Sequence, residues 1–167
     1  SMASVSALAS DAYGEPFEGS GFVKSDWQLV CDNTLTCRAA GYTDDMIRSD
    51  NNRVASLLLS IKAGEKTAIG QVQLNNWEGA EQEKLVNEQL AKTDFMVELL
   101  LNGRSHGIVR LSADRMGQLS QSQTQQLVKR ARQNTNIQFK SGDLFWQVSD
   151  VGMGAVLLKL DETQGRV

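Results

Sequence analysis

Trp27-Gln-Leu-Val-Cys31-Asp-Asn-Thr-Leu-Thr-Cys37-Arg-Ala-Ala-Gly-Tyr42 holds the only two cysteines of the chain between two short alternating runs. Successive side chains of a strand point to opposite faces, so Trp27, Leu29 and Cys31 share one face of an outgoing strand. Cys37, Ala39 and Gly41 share a face of the returning one. Setting Cys31 opposite Cys37 places Leu29 against Ala39 and Trp27 against Gly41, large against small. Directly opposed Cα atoms of a non-hydrogen-bonded antiparallel pair lie roughly 4.5 Å apart, within the span of a disulfide. Asp32, Asn33 and Thr34 supply turn chemistry between them. Closing so short a loop stabilises by only about 2 kcal/mol in the chain-entropy model. The bridge is therefore expected to set register more than stability. Cys-x5-Cys with the single histidine, His106, cannot furnish four zinc ligands. A redox pair is more usually Cys-x-x-Cys ahead of a helix. A structural disulfide is the favoured reading, and no metal site is expected.

The chain has 167 residues, 41% apolar and 22% charged, with a net charge of −3. These values suit one soluble domain with a real core. The slightly acidic balance gives no sign of bulk nucleic-acid or anionic-membrane binding. No apolar run is long enough to span a bilayer. Ala3 to Ser10 is small and apolar-to-polar, like the start of a mature exported chain. A bridged cysteine pair implies an oxidising compartment, in a bacterium the periplasm or beyond. Residues 1–22, rich in Ser, Ala and Gly and containing Pro16, are expected to form a flexible arm docked by Phe17 or Phe22. Residues 23–167 are expected to form a single domain.

Further hairpins follow the first. Ala55, Leu57, Leu59 and Ile61 alternate within 53–63, and Ala68, Val72 and Leu74 return after a turn at Gly64-Glu65-Lys66. Trp77 is expected to cover a core edge. Leu85, Val86, Gln89 and Leu90 form one side of a short helix over 81–90. Phe95 to Leu101 and Ser105 to Leu111 form a third hairpin, in which a three-residue loop puts Val109 and Leu111 on the face of Val97 and Leu99. His106 then turns to the other side. A general-base role is disfavoured, because no Ser, Cys or carboxylate is placed to work with it, and an exposed hairpin histidine is expected. Ser120 is positioned to cap a helix to about Gln133, with Thr124, Leu127, Val128 and Ala131 inward. Asn136–Phe139 and Leu144–Val148 make the last hairpin, around a loop of residues 140–143. Ser149 is expected to cap a final helix, 150–163, that is apolar on nearly all sides and so buried in the fold or against a partner. Its Gly152-x-Gly154 lacks the rest of a dinucleotide fingerprint and marks close packing instead. The pattern is α+β: an antiparallel sheet of several hairpins packed with two or three helices, one hairpin stapled by a disulfide.

The Cys-Asp-Asn-Thr…Cys-Arg-Ala block, with Ala155-Val-Leu-Leu-Lys-Leu-Asp161-Glu-Thr-Gln-Gly165-Arg-Val, resembles the exported bacterial domain-of-unknown-function family 1176. The resemblance runs from Trp27 to Val167. It implies a secreted or periplasmic protein and the N-terminal part of a longer one, and it brings no catalytic residues. The expected function is a non-catalytic periplasmic binding or interaction domain whose partner is a protein, with burial of the last helix on a second copy or another chain. One alternative is an envelope inhibitor or immunity protein against a toxin or lysozyme-like hydrolase. Another is a cryptic carboxylate hydrolase, although the adjacent pairs Asp44-Asp45 and Asp161-Glu162 diverge and cannot face one another. Asp50-x-Asn52 is only a fragment of a calcium loop. No catalytic residue and no cofactor is expected. Candidate partner contacts are Asp44, Asp45, Asp50, Lys129, Arg130, Arg132 and Arg166, weighed against the simpler reading that such charges face water.

Overall fold

The computed structural model describes residues 20–24, 26–42, 52–65, 67–74, 79–131 and 133–165. Among them the stapled ribbon forms with the register its alternation dictates. Strand β2 (Trp27–Cys31) pairs with β3 (Cys37–Gly41) through Trp27↔Gly41, Leu29↔Ala39 and Cys31↔Cys37. The disulfide closes across a Cα–Cα separation of 4.1 Å. The Trp27 indole lies flat over Gly41: a Cβ there would stand 2.1 Å from the ring. Large against small is thus a requirement at this pair. Asp32 organises the turn, its Oδ1 accepting from the Thr34 hydroxyl and from the Thr34 and Thr36 amides.

Strand β1 (Ser20–Lys24) pairs with the outer edge of β2, so the expected boundary of the arm at residue 22 falls inside a strand. Residues 1–19 and Trp77 lie outside the described residues. On its other edge β3 pairs with β4 (Asn52–Ile61), and β4 with β5 (Ile69–Leu74). Ala55, Leu57, Leu59 and Ile61 are buried, as their alternation requires. Short β8 (Met116–Gln118) continues this sheet beyond β5. A second set runs β7 (Arg104–Arg110), β6 (Met96–Leu101), β9 (Ile137–Ser141), β10 (Leu144–Val148), all antiparallel. It joins the first through β4. Phe145–Gln147 of β10 pairs in parallel with residues 52–54 of β4, and just beyond it the Ser149 amide donates to the carbonyl of Tyr42 at the end of β3. The sheet is otherwise antiparallel, and the fold is α+β.

Helices α1 (Ala80–Lys92), α2 (Gln121–Arg130) and α3 (Met153–Thr163) pack on this frame. In α1 the inward stripe narrows to Val86 and Leu90, and Leu85 is exposed. In α2, Thr124 and Leu127 are buried, whereas Val128, expected inward, is exposed. Ser120 caps α2 in a full capping box with Gln123. That glutamine is itself buried, because its Nε2 also donates to the His106 and Ile108 carbonyls.

The third hairpin departs from its expected loop. The turn is only Asn102-Gly103, both at positive φ, the signature of a tight type I′ connection. A bulge around Gly107 (φ 92) then inserts the missing residue and restores Val97↔Val109. Val109 and Leu111 reach the core as predicted, by a different route. His106 sits in that bulge half-buried rather than exposed. The last hairpin likewise turns at Gly142-Asp143 alone, with Lys140 and Ser141 inside β9. Ser149 does not cap the final helix. Gly152, left-handed at φ 93, is its N-cap, and the Ser149 hydroxyl instead donates to Asp26 and accepts from the Val151 amide.

Two outcomes follow from the stapled ribbon. Gly41→Val drives a side chain into the indole and is expected to cost about 3 kcal/mol by overpacking, measured by urea unfolding. Asp32 has its pKa lowered, first by the Thr34 hydroxyl, with the Thr36 and Thr34 amides adding to it and desolvation opposing. A carboxyl depressed in the folded state stabilises above its unfolded pKa and loses that contribution as pH falls through the folded value. The urea midpoint is therefore expected to fall on acidification below about pH 4 less steeply in Asp32→Asn than in the unaltered protein.

Candidate functional site

Helices α2 and α3 lie side by side without closing on one another. The inner face of α3 buries Met153, Val156 and Leu160, and that of α2 buries Thr124 and Leu127. Between their outer shoulders runs a groove made of two hollows. The first, about 310 Å³, has Leu59, Ile61, Ala68 and Leu160 as floor and Thr67, Thr124 and Gln125 along its wall. The second, about 320 Å³, passes Ala131, Gly154 and Leu158. Val128, Lys129, Leu157 and Asp161 line both, so the two hollows adjoin one another. Val128 and Leu158 are 40% and 41% exposed. The final helix, expected to be buried in the fold or against a partner, is thus only partly covered by its own fold.

The charges of the groove are two and opposite. Lys129 stands in the last turn of α2, where a cation suits the helix dipole. Asp161 stands near the end of α3, where a carboxylate does not. Its neighbour Glu162 is engaged by Lys159 at 3.7 Å. Among the described residues neither Lys129 nor Asp161 has a hydrogen bond or ion pair. Of the expected partner contacts, Lys129 lines both hollows. Arg130 is half-buried and lines neither hollow. Asp44, Asp45, Asp50, Arg132 and Arg166 lie outside the described residues. Asp161 was weighed in the sequence only as half of an adjacent acid pair. Its helical offset from Glu162, which disqualifies that pair, is what turns it alone into the groove.

A second polar cluster had no signal in the sequence. Arg115, 2% exposed and at φ 61, donates from one guanidinium nitrogen to Glu83 Oε1 at 2.9 Å and Asn87 Oδ1 at 2.7 Å. Desolvation lowers its pKa, partly opposed by the Glu83 charge. The side chain clasps α1 to the turn before β8, and its backbone carbonyl accepts from the Leu74 amide. An arginine between Asp114 and Met116 reads as a surface turn residue. Only the left-handed backbone carries it inward.

A larger hollow of about 520 Å³ lies on the outer side of β6 and β9, against Met96, Glu98, Ile108 and Lys140. Asp143 lines it too, so two carboxylates share this hollow with Lys140, whose ammonium lies over the Phe145 ring at 5.6 Å, while Glu98 and Lys140 hold paired positions on adjacent strands. No group of three His, Cys, Asp or Glu side chains able to hold a metal occurs among the described residues. No described helix is long and apolar enough to cross a membrane.

These features define a disulfide-braced α+β domain with an amphipathic groove between two helices. The chain belongs to the family described as Protein of unknown function (DUF1176), which matches residues 22–167. No curated protein and no solved structure matches it.

The Arg115 clasp is asymmetric, and its two ends should respond differently. Glu83 is 29% exposed in its side chain and rehydrates if the arginine is removed, whereas Arg115 cannot follow it into water. Glu83→Ala is expected to cost about 3 kcal/mol and Arg115→Met clearly less, compared in parallel urea titrations.

Proposed function

We propose that this protein is a non-catalytic binding domain of the bacterial cell envelope, periplasmic or secreted, and that the groove between α2 and α3 is its binding face. The observation that carries the reading is the groove itself: an apolar floor continuous with the core, flanked by one cation and one anion that nothing in the described fold neutralises. Ligand sites are concave, mostly apolar and carry a few convergent polar groups. The buried Cys31–Cys37 bridge supports an oxidising location. Three of the described acids are engaged in holding the fold. Asp32 holds a turn, Glu83 holds Arg115, and Asp150 accepts from the Thr135 amide. Asp161 shares the lining of both hollows with Lys129, and no second carboxylate lines either.

The test is native mass spectrometry of the protein purified from the envelope of its own host under non-denaturing conditions. A bound mass is expected, and Leu158→Asp, at an exposed position of the groove, should lose it while keeping the circular dichroism of the unaltered protein. Absence of any bound species, or recovery of the protein from the cytosol with both thiols reduced, would overturn the reading.

A further inference from the structure

We propose that the groove binds short apolar peptides as free zwitterions, Lys129 receiving the terminal carboxylate and Asp161 the terminal ammonium. This rests on the reading of the groove as a binding face and names its ligand class.

Size comes first. The first hollow, about 310 Å³, lies at the small end of ligand pockets, which begin near ~300 Å³. A second hollow of about 320 Å³ adjoins it at four shared side chains. An occupant of two or three residues fits this shape: elongated, with an apolar side chain for each hollow. The floor offers Leu59, Ile61, Ala68 and Leu160 to one side chain and the shoulders Val128, Leu157 and Leu158 to the other.

Charge then selects among elongated apolar molecules. A fatty acid would satisfy Lys129 and be repelled by Asp161, and an alkylammonium the reverse. Only a ligand carrying both signs meets both groups. Neither group has another engagement among the described residues, and for Asp161 the helical environment makes the point stronger. It sits toward the C-terminus of α3, where the dipole disfavours a carboxylate, and the one lysine on that helix pairs with Glu162. A ligand cation placed there relieves an arrangement the fold leaves uncompensated. Hydrogen bonds to ionised groups are the strong ones in such sites.

The experiment is isothermal titration of the full, oxidised chain with trileucine, trileucine amide and N-acetyl-trileucine, with octanoate as the acyl control. Trileucine is expected to bind, and each end-blocked form to bind about tenfold more weakly. In Lys129→Ala the amide should bind as well as the free peptide. In Asp161→Asn the acetylated form should do so. Both positions are solvent-accessible, and circular dichroism verifies that each variant folds. Equal binding of all three peptides, binding of octanoate in preference, or no heat with trileucine would overturn the proposal. A bound non-peptide mass lost in Leu158→Asp, together with no trileucine binding, would leave the binding role standing and remove only this assignment.

Discussion

Helix α3 is strapped across the disulfide-bridged ribbon at both ends, and the groove exists because of those two fixings. At its start the buried Trp27 Nε1 donates to the Ser149 carbonyl at 2.6 Å, and Asp26 and Tyr42 exchange backbone bonds with the residues around Ser149. At its end Gln164 Nε2 donates to the carbonyls of Leu35, in the ribbon's turn, and Ile61, where β4 finishes. Eleven helical residues span roughly 16 Å and a five-residue strand about the same, so the helix reaches from one end of the ribbon to the other. Every acceptor involved is a backbone carbonyl fixed by neighbouring structure. The helix cannot roll to bury Leu157 and Leu158 without breaking a bond at one end.

The ribbon can serve as that anchor because three constraints agree on its register. The disulfide fixes one end, the Trp27–Gly41 contact fixes the other, and the Asp32 turn sets the length between them. A slip of one residue would turn Trp27 and Cys31 to solvent and abolish all three at once. The covalent bond contributes modestly as closure entropy. Its larger role is to exclude alternative pairings of the two strands.

What could be read from the sequence follows from how local each decision is. The ribbon, the inward rows of β4 and β5 and the capped start of α2 depend on residues a few positions apart, and alternation or spacing reveals them. The bulge at Gly107 was missed because its cause is distant: Gln123, one turn into α2, draws the His106 and Ile108 carbonyls toward itself. The parallel contact of β10 with β4 joins strands far apart in the chain, and no local pattern encodes it. At the groove, Lys129 was visible as a charge on a helix and Leu157 and Leu158 as apolar residues too many for one face. Their convergence required the orientation of α3, which is set by bonds spanning more than a hundred residues. The two motif blocks at either end of the chain meet in those bonds, Leu35 with Gln164, which gives the Asp-Glu-Thr-Gln segment a physical role that neither block discloses alone.

The same strapping explains why Lys129 and Asp161 stay apart. An exposed lysine and aspartate gain little from pairing, because each gives up hydration and rotamer freedom for about 1 kcal/mol or less. Bringing the two helices together to form that pair would close the groove over its apolar floor and gain hydrophobic burial as well. Bonds on both sides oppose that movement. On one side Gln164 and Trp27 hold α3. On the other, the Ser120–Gln123 capping box and the bonds from Gln123 to the β7 bulge hold the start of α2. A groove held open against its own tendency to collapse is pre-organised, and a ligand entering it does not have to separate the helices first.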